Sequence, residues 1–207
     1  MKKLNIEFFN KNSSYQVLKD ILKSKCDDKT VEFVWEKAGE NLEQLAQKYS
    51  DIPKEEYAHV YNKILPRVAM YQALKEKMSG EEAMQIIDET VKISATKVGD
   101  ILKNMTAKPF MPKVFMKLFA TMTTKMFGEK SGFKQTFYEK NTKVLRFDIT
   151  ECPYCKYSKE CGVPELTHTF CDSDVYCYGN LTNVKFERTQ TLGTGGKCCD
   201  FKLTREK

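Results

Sequence analysis

The spacing of apolar residues changes at Gly128, and that change limits the folds open to this chain. Before Gly128 apolar residues recur at three- and four-residue steps, the period of one helix face; directly beyond it they alternate, the period of a strand. Over 31–49 the stripe is Val31, Val34, Trp35, Ala38, Leu42, Leu45 and Tyr49. Asp51-Ile52-Pro53 breaks it, and Pro53 suits a first helical turn. The next helix runs to about residue 78 on Tyr57, Val60, Ile64, Val68, Tyr71 and Leu74. Pro66 lies inside it, lacks an N–H, and must kink the helix or start it afresh. Ser79-Gly80-Glu81-Glu82 has the form of a capping box, a hydroxyl at the N-cap and a carboxylate three residues on. It opens a helix to about residue 102. A fourth helix is predicted over 112–127, rich in methionine and phenylalanine and stopped by Gly128. Its apolar face serves core packing, or an apolar ligand, a membrane surface or a second copy of the chain.

Past Gly128, strands are predicted over 133–140 and 143–150, with a hairpin turn at Glu139-Lys140-Asn141-Thr142. In the second strand Leu145, Phe147 and Ile149 alternate with Arg146, Asp148 and Thr150. A helix over 164–178 ends at Gly179, and two more strands follow over 184–191 and 198–204. Helices first, then a mostly antiparallel sheet with one inserted helix, describe an α+β fold in which an N-terminal helical half packs on the sheet. The expected regions are 1–130, helical, and 131–207, cysteine-rich. With 207 residues and roughly 100–200 residues per domain, they are expected to form one compact domain.

A net charge of +6, from 34 basic and 28 acidic residues spread along the chain, describes a solvated surface better than a nucleic-acid footprint. The opening Met1-Lys2-Lys3 is followed by no apolar run, so no signal peptide is read there. No stretch approaches the roughly 18 apolar residues of a membrane span. Seven of the eight cysteines lie between Cys152 and Cys199. In a chain long enough to bury a core they are expected as reduced thiols in a cytoplasm, not as a disulfide scaffold. They then ask for a catalytic, metal or packing explanation.

On a helical wheel of 164–178, Leu166, Phe170, Cys177 and Tyr178 share the core-facing arc, and Asp174 falls inside it. A carboxylate there needs a partner. Cys171, His168 and Glu165 precede it at three-residue steps, so they form a row on one side of the helix. A thiol beside an imidazole is a usual route to a nucleophilic thiolate, with an acid orienting the imidazole; a buried structural cysteine is the alternative. Alternation along 184–191 puts Arg188 on the apolar face with Val184 and Phe186. Its guanidinium must find an anion there, either Asp174 or the carboxylate of a substrate. In the last strand Cys198 and Cys199 face opposite ways; Cys198 is the candidate for a polar pocket wall and Cys199 for the core. The loop Gly193-Thr194-Gly195-Gly196 offers backbone N–H groups to an anion, or is a plain hairpin. Cys152-Pro153-Tyr154-Cys155 with Cys161 has spacing compatible with zinc or an iron–sulfur cluster, without a second CxxC.

Cys152-Pro153-Tyr154, His168-Thr169-Phe170-Cys171-Asp172-Ser173-Asp174, Phe186-Glu187-Arg188-Thr189 and Cys198-Cys199-Asp200-Phe201 together resemble the L-2-amino-thiazoline-4-carboxylic acid hydrolase family. Ile64-Leu65-Pro66 with Tyr71 and Leu74 resembles its helical half. The resemblance implies hydrolytic opening of a small cyclic amidine to an N-carbamoyl amino acid, with no cofactor. That chemistry needs a nucleophile or base, an acid and a carboxylate anchor. Cys171, Asp174 and His168 are the catalytic candidates, and Arg188, Glu165 and Cys198 the substrate-binding ones. Cys155, Cys161 and Cys177 depart from the family pattern. The C-terminal half also faintly resembles the small-molecule-binding 4-vinyl reductase domain, which holds zinc through cysteines. On that alternative the protein is a non-catalytic sensor and Cys152, Cys155 and Cys161 are the metal ligands. The expected partner is a small molecule, with a homodimer through the Met/Phe helix as a further expectation.

Overall fold

The computed structural model describes residues 4–206. Two helices precede those expected: α1 (Ile6–Lys11) and α2 (Ser13–Lys25). Asn12 ends the first and caps the second, its side chain accepting the Ser14 N–H. An Asn oxygen satisfies one of the four orphan donors of a helix start, so the chain turns there at little expense in stability. Asp27 opens α3 (Asp28–Lys48) in the same way, accepting the Thr30 N–H at 2.8 Å.

The interruption at Pro66 takes the form of a widened turn. A short α4 (Tyr57–His59) runs into π-helix over Val60–Ile64, and α5 (Leu65–Lys75) begins with Pro66 in its first turn. A proline without an N–H cannot continue the regular ladder, and the π turn absorbs the mismatch. The capping box forms as predicted at the start of α6 (Gly80–Thr106): Ser79 Oγ accepts the Glu82 N–H, and Glu82 accepts the Ser79 N–H at 2.9 Å. In α7 (Met111–Met126), Phe115, Met116 and Phe119 are buried while Leu118, Met122 and Met126 are exposed.

Four strands follow: β1 (Lys134–Lys140), β2 (Val144–Glu151), β3 (Val184–Glu187) and β4 (Cys199–Arg205). They pair in the order β1-β2-β4-β3, every pair antiparallel. Register sets Phe147 opposite Phe201 and Ile149 opposite Cys199, and the two phenylalanine rings stack at 4.9 Å. The edge strand β3 is shorter than predicted. Asp200 takes the N–H groups of Thr189 and Gln190 at 2.9 and 2.8 Å, so the backbone beyond Glu187 bonds a side chain instead of a ladder. The segment between β2 and β3 holds α8 (Pro153–Glu160) as well as the expected α9 (His168–Tyr178).

Two apolar cores result. One is helical and includes Leu18, Leu22, Val34, Leu42, Ile64 and Leu74. The other lies under the sheet and joins Phe115, Met116, Phe147 and Phe201. Each such side chain contributes roughly 1.5–3 kcal/mol on full burial. Tyr154 packs against both. Between the cores α9 presses on α6 at Gly99, where an added Cβ would collide with the Tyr176 carbonyl oxygen. Only glycine allows that approach, which seats the chemistry-bearing helix. Among the described residues no helix is long and apolar enough to cross a membrane.

Candidate active site

A cavity of about 450 Å³ lies where the two cores meet, with Leu18 and Arg67 on its helical side, Phe147 and Phe201 on its sheet side, and Cys171 and Asp174 from α9. Most of the remaining lining is apolar, the usual character of a small-molecule site with a few polar groups set in it.

Cys171 and Asp174 stand one turn apart on α9 and both line the cavity. Asp174 keeps 30% of its side-chain surface, which opens into the cavity, and receives a hydrogen bond from Arg188 Nη1 at 2.9 Å. Burial pushes its carboxyl up to about 7, with Arg188 pulling the other way and Cys171 pushing with burial. Cys171 moves the opposite way. The hydrogen bond from the Cys199 thiol is the largest cause holding it below an ordinary thiol; burial opposes this, while Thr191, Arg188 and the Gly193 N–H assist. Cys199, as the donor, is held neutral and pushed up. Gly193 is required by contact: a Cβ there would lie 2.8 Å from Cys171 Sγ. A thiol disposed to ionise thus stands next to a carboxyl disposed to keep its proton, the reverse of their ordinary order.

Arg188 is 6% exposed, donates to Asp174 and, at 3.1 Å, to the Cys171 carbonyl, and does not line the cavity. Of the two partners foreseen for it, the ion pair is the one made, so its expected place against a substrate carboxylate is not where the structure puts it. The row Glu165, His168, Cys171 does not close into a thiol–imidazole pair. His168 Nδ1 meets the Glu165 carbonyl at 2.7 Å and Nε2 meets Asp88 at 3.0 Å, both away from Cys171. Glu165 is exposed, in a 3-10 turn that offsets it from α9. Cys198 immediately precedes β4, near Asp148, and does not line the cavity; the adjacent Cys199 reaches it instead. The two cysteines face opposite ways, and the cavity opens on the core side of the sheet.

The cysteines considered for zinc separate. Cys152 and Cys155 interact with each other, whereas Cys161 sits at 3.4 Å from the Tyr49 hydroxyl. Among the described residues no three His, Cys, Asp or Glu side chains gather as a metal site would.

Arg67 and Tyr154 were not foreseen. Arg67 projects from the first turn of α5 into the cavity, donates to Thr169 Oγ1 at 2.9 Å and lies 4.0 Å over the Phe170 ring. Tyr154 stacks on Phe170 at 4.6 Å, and its hydroxyl meets His59 Nδ1 at 2.9 Å. Because His59 Nε2 faces the Met126 carbonyl at 2.7 Å it carries the hydrogen, so Nδ1 accepts from Tyr154. A signal for Arg67 was present: it is the single charge between Ile64 and Leu74 in an otherwise mostly apolar run.

Compared with known proteins, residues 57–203 match the model of a family described as L-2-amino-thiazoline-4-carboxylic acid hydrolase. No curated protein and no solved structure matches the chain. The matched stretch runs from α4 into β4 and takes in Arg67, Cys171, Asp174 and Arg188; Tyr15 and Leu18, which also line the cavity, lie before it.

Proposed function

Since this chain belongs to the L-2-amino-thiazoline-4-carboxylic acid hydrolase family, we propose that it opens a small cyclic amidine, such as 2-amino-thiazoline-4-carboxylate, at its C=N carbon to give an N-carbamoyl amino acid. The observation that carries this reading is the thiol and carboxyl of α9, one turn apart in one cavity and displaced in opposite directions. A nucleophile and a proton donor are the two groups the addition needs.

In this reading the Cys171 thiolate adds to the C=N carbon while Asp174 gives its proton to the ring nitrogen. The ring C–S bond then breaks, the ring sulfur leaves as a thiolate, and an isothiourea remains on Cys171. Water adds to the same carbon, one of its protons returning to Asp174. The bond to Cys171 breaks, the other proton passes to the released thiolate, and the product carries a carbamoyl group. One water is consumed and both side chains are restored. Arg188 holds Asp174 in place and, with the Gly193 N–H and the Cys199 thiol, stabilises the Cys171 charge. His168, Glu165 and Cys198 take no step in it.

The test is chromatographic detection of the N-carbamoyl product from 2-amino-thiazoline-4-carboxylate. Cys171→Ala and Asp174→Asn are each expected to lower turnover by about 1000-fold or more, as loss of a nucleophile or its acid does. Full turnover by either variant would overturn its assigned role. No turnover by the parent protein would overturn the substrate.

A further inference from the structure

We propose that Arg67, which reaches the cavity from α5 while Cys171 and Asp174 reach it from α9, is the carboxylate receptor of this cavity, and that the molecules admitted are compact rings bearing one free carboxylate. The inference rests on the hydrolase reading for the ring's chemistry, but not for the presence of an anion subsite.

A guanidinium stays charged at any pH a protein tolerates and carries five N–H donors. Placing one away from water is unfavourable by several kcal/mol unless an anion accompanies it. Arg67 has no carboxylate within ion-pair distance among the described residues; its polar partner there is the Thr169 hydroxyl, which itself donates to the Leu166 carbonyl. The ring of Phe170 supports one face of the cation without neutralising it. The fork therefore retains donors facing a cavity whose other walls are largely apolar, the setting in which a bidentate bond to a carboxylate is strongest. Ser94 is a second observation of the same kind. Its Oγ is buried, without a hydrogen-bond partner among the described residues, and Ser94 lines the same cavity from α6. A bound ligand would satisfy both. Arg188 cannot serve in this way, because it donates to Asp174 and to the Cys171 carbonyl and does not line the cavity.

Calorimetry with two unreactive probes isolates the claim: thiazolidine-4-carboxylate, which lacks the C=N bond, and its neutral carboxamide. The parent protein is expected to prefer the carboxylate by on the order of 100-fold, the effect of a desolvated charge pair. Arg67→Met should erase that preference while leaving carboxamide binding near its parental value, and Arg67→Lys should keep part of it. A residue with a merely structural role would weaken both probes alike. The proposal is overturned if Arg67→Met keeps the preference, or if the parent shows none, failure to bind either probe included. Should Arg67→Met not fold, Arg67→Lys binding with the full parental preference overturns it too. Turnover is not read, so an inactive protein with an Arg67-dependent preference would remove the reaction and keep the subsite. An active protein whose preference ignores Arg67 would do the opposite.

Discussion

Behind the cavity Arg188 donates to Asp174 at 2.9 Å and to the Cys171 carbonyl at 3.1 Å, while within the cavity Arg67 meets a threonine hydroxyl and an aromatic ring. The first arginine is held by partners inside the protein, and its charge bears on the state of its neighbours Asp174 and Cys171. The second keeps donors that face the cavity. On the proposed reading the two settings differ accordingly: the one around Arg188 sets reactivity, and the one around Arg67 sets what may enter. Substitutions on the first should alter stability and chemistry, those on the second recognition.

The largest expected break in that symmetry is Arg188→Met. It strands Asp174 in a buried setting, and breaking a buried pair from one side destabilises by about 3–5 kcal/mol. Adding Asp174→Asn should recover most of the loss, since no charge is then left unpaired. Arg67→Met breaks no ion pair among the described residues and should stay within about 1 kcal/mol of the parent, because the cation it removes has only the more distant Asp88 to offset its burial. Urea unfolding of these proteins at pH 8 measures all of this. Equal losses for the two arginines would mean the settings are not different in kind.

A smaller effect follows from Asp174 alone. Its carboxyl is raised from 3.8 to about 7 in the folded protein, so the folded state binds the proton more tightly than the unfolded chain. The stability this gives is fully present below about pH 4, declines as pH rises, and is gone above about pH 7. Relative to Asp174→Asn, the parent should therefore lose a few kcal/mol across that window and run parallel to it above. Unfolding free energies of both at several pH values from 4 to 8.5 test the sign. A parent that gains on the variant as pH rises would show that Arg188 outweighs burial.

The helical half and the sheet were legible because each repeats one period many times: the stripe from Val31 to Tyr49, the capping box at Ser79 and the alternation at Leu145, Phe147 and Ile149 carry over directly. The inward turn of Asp174 was legible for the same reason. Arg188 meeting Asp174 was foreseen as one of two outcomes, since a wheel and a strand give faces but not reach. What stayed hidden depends on where separate elements meet. Arg67 and Cys171 lie far apart in sequence, and nothing local says that their walls face one cavity. Cys199 does lie in the core as expected, but its second place, in the cavity lining, was hidden because apolar and cavity-lining positions share one face of a strand. The Glu165, His168 and Cys171 row failed for a local reason: the 3-10 turn before His168 changes the angular step on which the wheel depended.

The smallest effect sharpens the comparison most, because it touches one setting through a single methyl group. Gly193 adjoins Cys171 so closely that a Cβ would lie 2.8 Å from the sulfur and 3.1 Å from Thr167 Cγ2. Its φ lies outside the left-handed region, so Gly193→Ala adds crowding without backbone strain. Overpacking of this kind destabilises by about 1–3 kcal/mol. Relief comes from shifting Cys171 or the loop that carries Thr191 and the Gly193 N–H, and either shift weakens the contacts that favour the thiolate. The acid limb of turnover should then move to higher pH, and kcat should fall about 10-fold for each 1.4 kcal/mol lost from the transition state. Affinity for the carboxylate probe should hold, because Arg67 is held by Thr169 and Phe170 and makes no hydrogen bond to the Gly193 loop. A pH–rate profile beside one calorimetric titration reads both. A loss of probe affinity as large as the loss of kcat would mean that the two settings act as one site, with recognition and reactivity not divided between them.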